Sequence, residues 1–390
     1  MAERRARPLA VLVGGVGKLA LAGYGLGILH HLVGLQELGY EVHYLERQNR
    51  PEECYDPRTD KMGDDPSYAL EYLRRVLSRF SIDEHQFSFI DRQGTCHGSG
   101  WPKLEGVLDR AEFVLTIANP TWFDELERCP RRGYVDGDPM FTQVAMATGV
   151  GPRADPPKHY TVMFSYGTRI GEADCAIPTA GRRWLPARPV VATSIWKSNP
   201  PPANAPITAL MHWTSGSDIA YDGKVFGHKD REFPKFSDLP GRVAKARFLL
   251  AAGGGNVPRG ELREAGWRLG SPLAASLSIE DFMGFVSDSL ADFGVAKHAY
   301  VASRSGWFSD RSTCFLAAGR PVIHQETGFT DWLPATAGVM PFATVEEAAD
   351  AVEQLERDYA RHSTAARAVA KEHFEARTVL ADMLASGGLR

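Results

Sequence analysis

The stretch AVLVGGVGKLALAGYGLGILHHLVGLQELGYEVHYLE, residues 10–46, has the order of a strand, a glycine-rich loop, a helix and a second strand. We predict strands over residues 9–13 and 41–45, because both are apolar runs that suit burial on both faces of a parallel sheet. A helix that connects two parallel strands covers one face of their sheet. The stretch therefore predicts an α/β fold.

The glycines of this stretch imitate a dinucleotide-binding loop in two registers. That fingerprint places G-x-G-x-x-G directly after the first strand and an acid about 20 residues further on. Gly15 and Gly17 follow the strand directly, but Glu46 lies 29 residues past Gly17. A second register, starting at Gly23, has better spacing but an isoleucine in place of the third glycine. We therefore predict a loop that lets a ligand or another domain come close, and we expect Glu46 to be an ordinary strand-end acid.

The alternation of strands and helices continues along the chain, with one interruption near residue 200. Further strands are predicted over residues 113–117, 133–135, 160–164, 207–213, 247–251, 298–302 and 321–325. The sequence SNPPPANAP, residues 198–206, contains three consecutive prolines, which break helices and central strands. We therefore predict two Rossmann-like domains, over 1–197 and 207–370, joined by a linker over 198–206.

Composition narrows the class of protein. A chain of 390 residues with 44% apolar and 24% charged residues suits two globular domains. The net charge of -4 gives no global basic field, so we expect no nucleic-acid partner.

No apolar run is long enough for a transmembrane segment, and we expect a cytoplasmic protein, monomeric or homodimeric. The five cysteines are widely spaced and contain no C-x-x-C pair, so neither a disulfide framework nor a zinc site is predicted.

The strongest functional signal is SRSGWFSDRSTCFLAAGRPVIHQETGF, residues 303–329. We interpret it as a polar loop, a helix capped by Ser309 or Asp310, and a strand that ends at Gln325. Free backbone amides and the dipole of a helix N-terminus favour a bound anion. Arg304 and Arg311 add donors that grip phosphate, and Lys297 precedes the predicted strand. These features predict a diphosphate site.

The stretch FLAAGRPVI…TGFTDWL resembles the GT-B glycosyltransferases. The shared features are a run of small residues, the pattern G-x-P-V-I, and a glycine and an acid that follow it. The glycine-rich loop after the first strand and GLQELGYEVHYLE are also similar to the start of that family. Many retaining members carry two glutamates in this region, and those positions fall here on Gly306 and Cys314, so no subfamily is assigned. The resemblance implies the GT-B architecture of two Rossmann-like domains facing across a cleft. The acceptor is then expected in the N-terminal domain and the nucleotide sugar in the C-terminal domain, with a helix over 371–390 packing back on the N-terminal domain.

This reading assigns candidate residues to each part of the reaction. A glycosyltransferase must stabilise a leaving nucleoside diphosphate, hold the sugar and, if it inverts, deprotonate the acceptor. The candidates for the catalytic base are His30, His31, Asp136 and Asp138. The candidates for donor binding are Gly15, Gly17, Thr214, Ser215, Lys229, Lys297, Ser303, Arg304, Ser305, Gly306, Trp307, Arg311, Gln325, Glu326, Gly328 and Phe329.

We predict neither a metal nor a tightly bound cofactor, because no acidic metal cluster is compelling and the basic residues can hold the diphosphate. The partners are then a nucleotide sugar and a small-molecule or glycan acceptor, such as a natural product. The alternatives are an NAD(P)-dependent oxidoreductase that uses the opening loop, a nucleotide-sugar epimerase on the same scaffold, and a non-catalytic binding protein. Fold alone does not choose among these functions.

Overall fold

The computed structural model describes residues 7–390, in two α/β halves. The strands of the first half are β1 Leu9–Val13, β2 Glu41–Arg47, β3 Cys54–Asp56, β4 Lys61–Gly63, β5 Phe87–Ile90, β6 Cys96–Gly98, β7 Phe113–Ile117, β8 Arg132–Asp136, β9 Val162–Ser165 and β10 Trp184–Pro186. Its helices are α1 Val16–Leu19, α2 Ala22–Glu37, α3 Ser67–Arg79, α4 Trp101–Arg110 and α5 Phe141–Thr148.

The second half repeats this plan. Its strands are β11 Ile207–His212, β12 Ile219–Tyr221, β13 Lys224–Phe226, β14 Phe248–Gly253, β15 Arg268–Leu269, β16 Ala291–Gly294, β17 Val322–Gln325 and β18 Val339–Phe342. Its helices are α6 Leu239–Arg242, α7 Arg259–Glu264, α8 Ile279–Ser287, α9 His298–Ala302, α10 Asp310–Ala317, α11 Val345–Arg357, α12 Tyr359–Val369 and α13 Ala376–Ser386, with a π-helical turn at Ala370–Phe374.

Both main sheets have the doubly wound order of a Rossmann fold. The first runs β10-β9-β8-β7-β1-β2-β5-β6, in which only the edge strand β6 is antiparallel. The second runs β15-β14-β11-β16-β17-β18, and its strands pair in parallel. The strand order reverses beside β1 in one sheet and beside β11 in the other, and ligands bind outside the carboxyl ends of strands at such points. The predicted fold class is therefore confirmed.

One predicted strand is a helix. Residues 298–302, HAYVA, form α9, and the strand of this region is β16, which lies seven residues earlier and is fully buried. A short apolar run fits a buried strand and a buried helical turn equally well, so periodicity does not separate them. This error matters for the site, because it places Lys297 at the N-terminal cap of a short helix and not before a strand.

Helix α2 joins the two halves through a stripe of glycines. A Cβ at Gly23 would lie 3.3 Å from the Phe282 ring of α8, and one at Gly34 would lie 2.6 Å from Leu380 Cδ1 of α13. The second glycine register of the opening stretch thus lies inside this helix, where it permits close packing. The main hydrophobic core runs continuously through α2, α8, α10 and α13. None of the helices in residues 7–390 is long and apolar enough to cross a bilayer.

Candidate active site

A cavity of about 470 Å³ lies between the two halves, within the usual size range of small-molecule sites. The carboxyl ends of β7, β8 and β9 line one side of it, and those of β11 and the segment after β16 line the other. The N-terminal parts of α2 and α10 complete the wall. The cavity therefore occupies the position that the two strand orders indicate for a ligand.

The C-terminal side of the cavity holds Lys229, a buried cation that lacks a partner. Its side chain lines the cavity and is 8% exposed, and its Nζ makes no hydrogen bond or ion pair with any residue of the described part, 7–390. Burial lowers the pKa of Lys229 well below its usual value, and the nearby Arg311 lowers it further, against the opposing charges of Asp292 and Asp310. A buried ammonium group without a direct ion pair is unfavourable. This arrangement indicates a place for an anionic ligand.

Arg311 lies beside Lys229 on the first turn of α10. Its guanidinium donates to the Leu210 carbonyl at 2.6 Å and pairs with Asp292 at 3.5 Å. Ser312 also donates to Asp292, at 2.5 Å, so that carboxylate is already used. The Nε of Arg311 is buried and has no hydrogen-bond acceptor among the described residues. Lys229 and Arg311 thus form a cationic floor at the N-terminus of α10, where the helix dipole also favours negative charge.

Asp138 links the two halves across the cavity. It accepts hydrogen bonds from Lys297 at 2.7 Å, from the Tyr300 hydroxyl and from Arg153 at 3.0 Å. Burial alone would raise the pKa of Asp138, but Lys297 and Arg153 hold it well below its usual range. Asp138 is therefore an ionised carboxylate with both oxygens occupied.

Asp136 is fully buried and does not line the cavity. Its carboxylate accepts hydrogen bonds from Thr142 at 2.7 Å, Gln143 at 2.8 Å and Ser165 at 2.9 Å. Burial raises the pKa of Asp136, and the bonds from Gln143 and Thr142 oppose that shift. These contacts tie the end of β8 to α5 and β9, which is a positioning role.

His30 and His31 also lie outside the cavity lining, in the packed interior of α2. The Nδ1 of His30 accepts the Ala192 amide at 3.2 Å, and its Nε2 lies 3.6 Å from Cys314 Sγ. His31 Nδ1 contacts the Gly27 carbonyl at 2.7 Å. Burial lowers the pKa of His30 to about 3 and that of His31 to about 4. Neither ring is placed to meet a ligand in the cavity.

Five of the predicted donor-binding residues line the cavity: Ser215, Lys229, Lys297, Trp307 and Arg311. Ser215 is hydrogen-bonded to His228 at 3.4 Å, and Trp307 packs on Tyr300 with ring centroids 4.6 Å apart. Thr214, one residue earlier, does not line the cavity, and its carbonyl lies against Gly254.

The predicted loop residues 303–306 are covered by a segment of the N-terminal half, residues 168–176. The Ser305 carbonyl accepts the Arg169 amide at 3.1 Å, and the Ser303 carbonyl accepts the Ala176 amide at 3.0 Å. The Gly306 carbonyl is also bonded to this segment. Arg304 is half exposed and pairs with Asp174 at 2.9 Å. The structure therefore separates these four residues from the cavity.

The end of β17 also points away from the cavity. Gln325 accepts the Ala296 amide at 3.0 Å and donates to Glu232 at 2.6 Å, and Glu326 accepts the Gly328 amide. Phe329 is fully buried and packs against Phe308. These residues order the loop after β17 and do not line the cavity.

The backbone amides of the opening glycine loop are hydrogen-bonded to side chains of β2, the strand that follows α2. The amides of Gly17 and Lys18 donate to the Glu46 carboxylate at 2.7 and 3.0 Å, and the Val16 amide donates to Tyr44 OH at 3.0 Å. Glu46 is fully buried and is not an ordinary strand-end acid. Gly15 and Gly17 do not line the cavity. The amides that a dinucleotide would need are thus occupied by a protein carboxylate.

Several residues that line the cavity were not predicted from the sequence as site residues: Tyr24, Asn119, Arg153, Tyr166 and the side chain of Asp310. Asn119 and Tyr166 directly follow strands that were predicted, so the rule that ligands bind at strand carboxyl ends would have found them. Arg153 lies in an irregular segment with no such signal. Within residues 7–390, no three His, Cys, Asp or Glu side chains converge as a metal centre requires.

Comparisons with known proteins identify the fold. The sequence matches no protein-family model and no curated protein. Among solved structures, an alpha-glucosyltransferase in complex with UDP and a 13-mer DNA containing a HMU base superposes with a TM-score of 0.59 at 8% identity, covering 98% of this chain and 100% of that one. Anabaena HepE in complex with UDP-glucose superposes with a TM-score of 0.54 at 11% identity, covering 97% and 99%.

These structures also correct one prediction. An alpha-glucosyltransferase with UDP-glucose and DNA containing an abasic site matches with a TM-score of 0.56 at 10% identity, covering 98% of this chain and 99% of that one. The expectation of no nucleic-acid partner is therefore contradicted, because the solved structures of this fold include alpha-glucosyltransferases in complex with DNA. A net charge describes the whole surface and does not exclude a local nucleic-acid site.

At identities of 8–11%, the likeness is one of fold. It spans nearly the whole chain, including both sheets and the C-terminal helix that returns to α2. The chain has the two-domain architecture of the GT-B glycosyltransferases.

Proposed function

We propose that the protein transfers a sugar from a nucleoside-diphosphate sugar to a nucleophile of an acceptor bound in the N-terminal half of the cavity. The observation that carries the proposal is Lys229, a buried cation that faces the cavity and has no direct ion-pair partner among residues 7–390. A diphosphate supplies such a partner. The fold supports the same reading, since its solved relatives include proteins in complex with UDP or UDP-glucose.

In this proposal Lys229 and Arg311 bind the diphosphate, together with the amide end of α10. The carbon–oxygen bond to the sugar breaks with its electron pair moving to the diphosphate, so negative charge develops beside the two cations. Donors that are already in place where charge develops stabilise a transition state without reorganising. Arg311 is fixed for this role by the Leu210 carbonyl and Asp292.

Lys297 is a third cation within reach of the ligand. In the structure it donates to Asp138, and its ammonium group lies 4.7 Å from the centre of the Phe141 ring. We propose that Lys297 is shared between Asp138 and the bound donor. This sharing couples the donor in one half to the strand end of β8 in the other.

The acceptor side of the cavity is mainly aromatic and aliphatic. Its walls include Leu21, Tyr24, Ile28, Ile117 and Tyr166, with Asn119 and Arg153 as polar groups. Such walls suit a flat or apolar acceptor that presents a hydroxyl or similar nucleophile. A natural product fits this description, and so does a base of a nucleic acid. An acceptor screen should therefore contain phenolic compounds and hydroxymethylpyrimidine DNA.

The oxidoreductase and epimerase alternatives both need a dinucleotide. The loop that suggested one is closed by Glu46, which occupies the Gly17 and Lys18 amides. A pyrophosphate at this loop would have to displace a buried carboxylate. The glycosyltransferase reading needs no such rearrangement.

We also propose that donor binding needs no divalent cation, since the basic residues supply the positive charge that a metal would. The expected result is unchanged UDP binding in EDTA, and binding that appears only with added Mg²⁺ or Mn²⁺ would contradict it.

Five free cysteines support a reducing, cytoplasmic location.

A thermal-shift screen tests the proposed function. We expect UDP, dTDP or GDP to raise the melting temperature, because a ligand that binds only the folded state stabilises it. The screen should include NADH and NADPH. Stabilisation by a nicotinamide dinucleotide alone would overturn the proposal, and so would the absence of any stabilisation by nucleoside diphosphates at millimolar concentration.

A further inference from the structure

Asp310 presents a free carboxylate oxygen to the cavity. Ser309 is the N-terminal cap of α10 and accepts the Ser312 amide, so Asp310 lies on the first helical turn and is not the cap. Its Oδ1 accepts the Arg311 amide at 2.8 Å. Its Oδ2 has no hydrogen-bond donor within the described residues 7–390, and the residue lines the cavity. One oxygen is thus anchored while the other is open to a ligand.

Gly27 leaves room for that open oxygen. It lies in the interior of α2, where glycine is unfavourable by roughly 0.5–1 kcal/mol relative to alanine. Gly27 has an ordinary helical backbone and needs no positive φ. A Cβ at this position would lie 3.0 Å from Asp310 Oδ2, with Asp310 Cγ the next nearest atom at 3.9 Å. The missing side chain is therefore matched to the carboxylate and not to general helix packing.

Asp310 lies next to Arg311 on α10, but the two side chains contact different halves of the protein. Lys229 and Arg311 belong to the C-terminal half, and Arg311 turns towards the ends of β11 and β16. Asp310 turns the other way and meets α2 of the N-terminal half. The cations and the carboxylate line the same cavity, so a donor whose diphosphate rests on Lys229 and Arg311 shares that cavity with Asp310.

Other candidates for a base are less suitable. Asp138 has both oxygens occupied by donors, and His30 and His31 lie outside the cavity. Burial raises the pKa of Asp310, against the opposing effects of the Arg311 amide and the charges of Arg311 and Lys229. Tyr24 and Tyr166 face it from the N-terminal half. A carboxylate with a raised pKa is a stronger base than one held in ion pairs.

We propose that Asp310 is the general base of the transfer reaction and that the reaction inverts the anomeric carbon. The inference rests on the proposed function. The acceptor oxygen forms a bond to the anomeric carbon as the bond from that carbon to the diphosphate oxygen breaks. The acceptor proton moves to Asp310 Oδ2, and the electron pair of the broken bond leaves with the diphosphate. No oxidant, reductant or further reactant is needed.

Hydrolysis of the donor tests this proposal without knowledge of the acceptor, because water serves as the nucleophile. The donor is whichever of UDP-glucose, dTDP-glucose and GDP-glucose gives the largest thermal shift. Nucleoside diphosphate release measures the rate, and proton NMR of the first glucose formed gives its anomer. All three donors are α-glucosides, so inversion yields β-glucose first.

The variants separate a base from a binding residue. Asp310→Asn keeps the shape of the side chain, and we expect it to lower kcat by about 100-fold or more, with nucleoside diphosphate affinity within about twofold of the wild type. Gly27→Ala, which crowds Oδ2, should also lower kcat without weakening the nucleotide. Its matched control is Gly106→Ala, since Gly106 lies inside α4 with no atom within 4 Å of an added Cβ.

The pH profile of kcat supplies the final readout. Wild-type activity should fall at acid pH as Asp310 is protonated, and this limb should disappear from the residual activity of Asp310→Asn. Release of α-glucose first, or full activity of Asp310→Asn, would overturn the proposal. So would a large loss of nucleotide affinity in that variant. Failure of the wild type to bind any nucleoside diphosphate would instead refute the proposed function.

Discussion

Replacing Lys229 with methionine should have opposite effects on ligand binding and on stability. Methionine matches the lysine stem in length but carries no charge. A hydrogen bond to a charged group contributes about 1.5–3 kcal/mol, and about 1.4 kcal/mol corresponds to a tenfold change in affinity. We therefore expect Lys229→Met to weaken UDP binding by about 10- to 150-fold in isothermal titration calorimetry.

The same change should stabilise the ligand-free protein. The Lys229 side chain is buried, and its amine has no hydrogen-bond partner among the described residues 7–390; an unsatisfied buried polar group costs about 1–3 kcal/mol. For a chain of this length we expect the melting temperature of Lys229→Met to rise by about 1–4 °C. Lys297→Met is the matched control, because its amine already donates to Asp138 and its loss should lower the melting temperature.

The affinity for UDP should also depend on pH. In the free protein the pKa of Lys229 is depressed, and a bound diphosphate raises it, so binding takes up a proton between those two values. The affinity for UDP should consequently fall as pH rises through this window. The measurement is made above about pH 7.5, where UDP itself is fully ionised. Titrations in buffers of different ionisation enthalpy measure the proton uptake. A Lys229→Met variant with wild-type affinity and the same proton uptake would refute the reasoning.

Three further predictions concern other parts of the chain. Arg304→Ala should leave UDP affinity within about twofold, because Arg304 pairs with residues outside the cavity. A titration that showed a tenfold loss would contradict this placement. Gly34→Ala should destabilise the protein by about 1–3 kcal/mol in urea unfolding, since its Cβ would lie 2.6 Å from Leu380, whereas Gly106→Ala should be neutral or stabilising. His324 is buried with its pKa lowered to about 3, so stability should fall as pH drops below about 6.5, by at most about 1.4 kcal/mol per pH unit from this residue. His324→Gln should reduce that slope in urea unfolding at pH 7.5 and 5.5, and exposed His85→Gln should not.

The sequence predicted the layered fold well because buried parallel strands are continuous apolar runs. The strands predicted over residues 9–13 and 113–117 coincide with β1 and β7, which are buried along their whole length. The misread helix α9 shows the limit of this reasoning, since four apolar residues carry no period.

The site was less predictable because its residues depend on contacts between the two halves. Ser305 and Gly328 lie in two loops that look suited to phosphate, but the segment 168–176 contacts both of them. No pattern within residues 303–329 could have revealed a segment more than 120 residues earlier. The sequence predicted Ser309 or Asp310 as the cap of α10, and only the position of Gly27 opposite the open oxygen of Asp310 indicates a role for this carboxylate in the reaction.

The role of the glycines in residues 14–34 also depends on contacts that the local sequence does not show. Gly23 and Gly34 allow α8 and α13 to approach α2, and Gly27, at helical spacing between them, leaves room for the Asp310 carboxylate. A short motif that satisfies half of a phosphate-binding rule is therefore a helix surface shaped for another domain. The distinction depended on Glu46, whose buried carboxylate closes the loop that the motif would have needed.

The most direct test of the account is a crystal structure with UDP bound. We predict that the diphosphate lies in the cavity between the halves, within hydrogen-bond distance of Lys229 Nζ and next to Arg311 and the N-terminus of α10. A diphosphate bound at the loop of residues 14–18, with Glu46 displaced, would contradict the account.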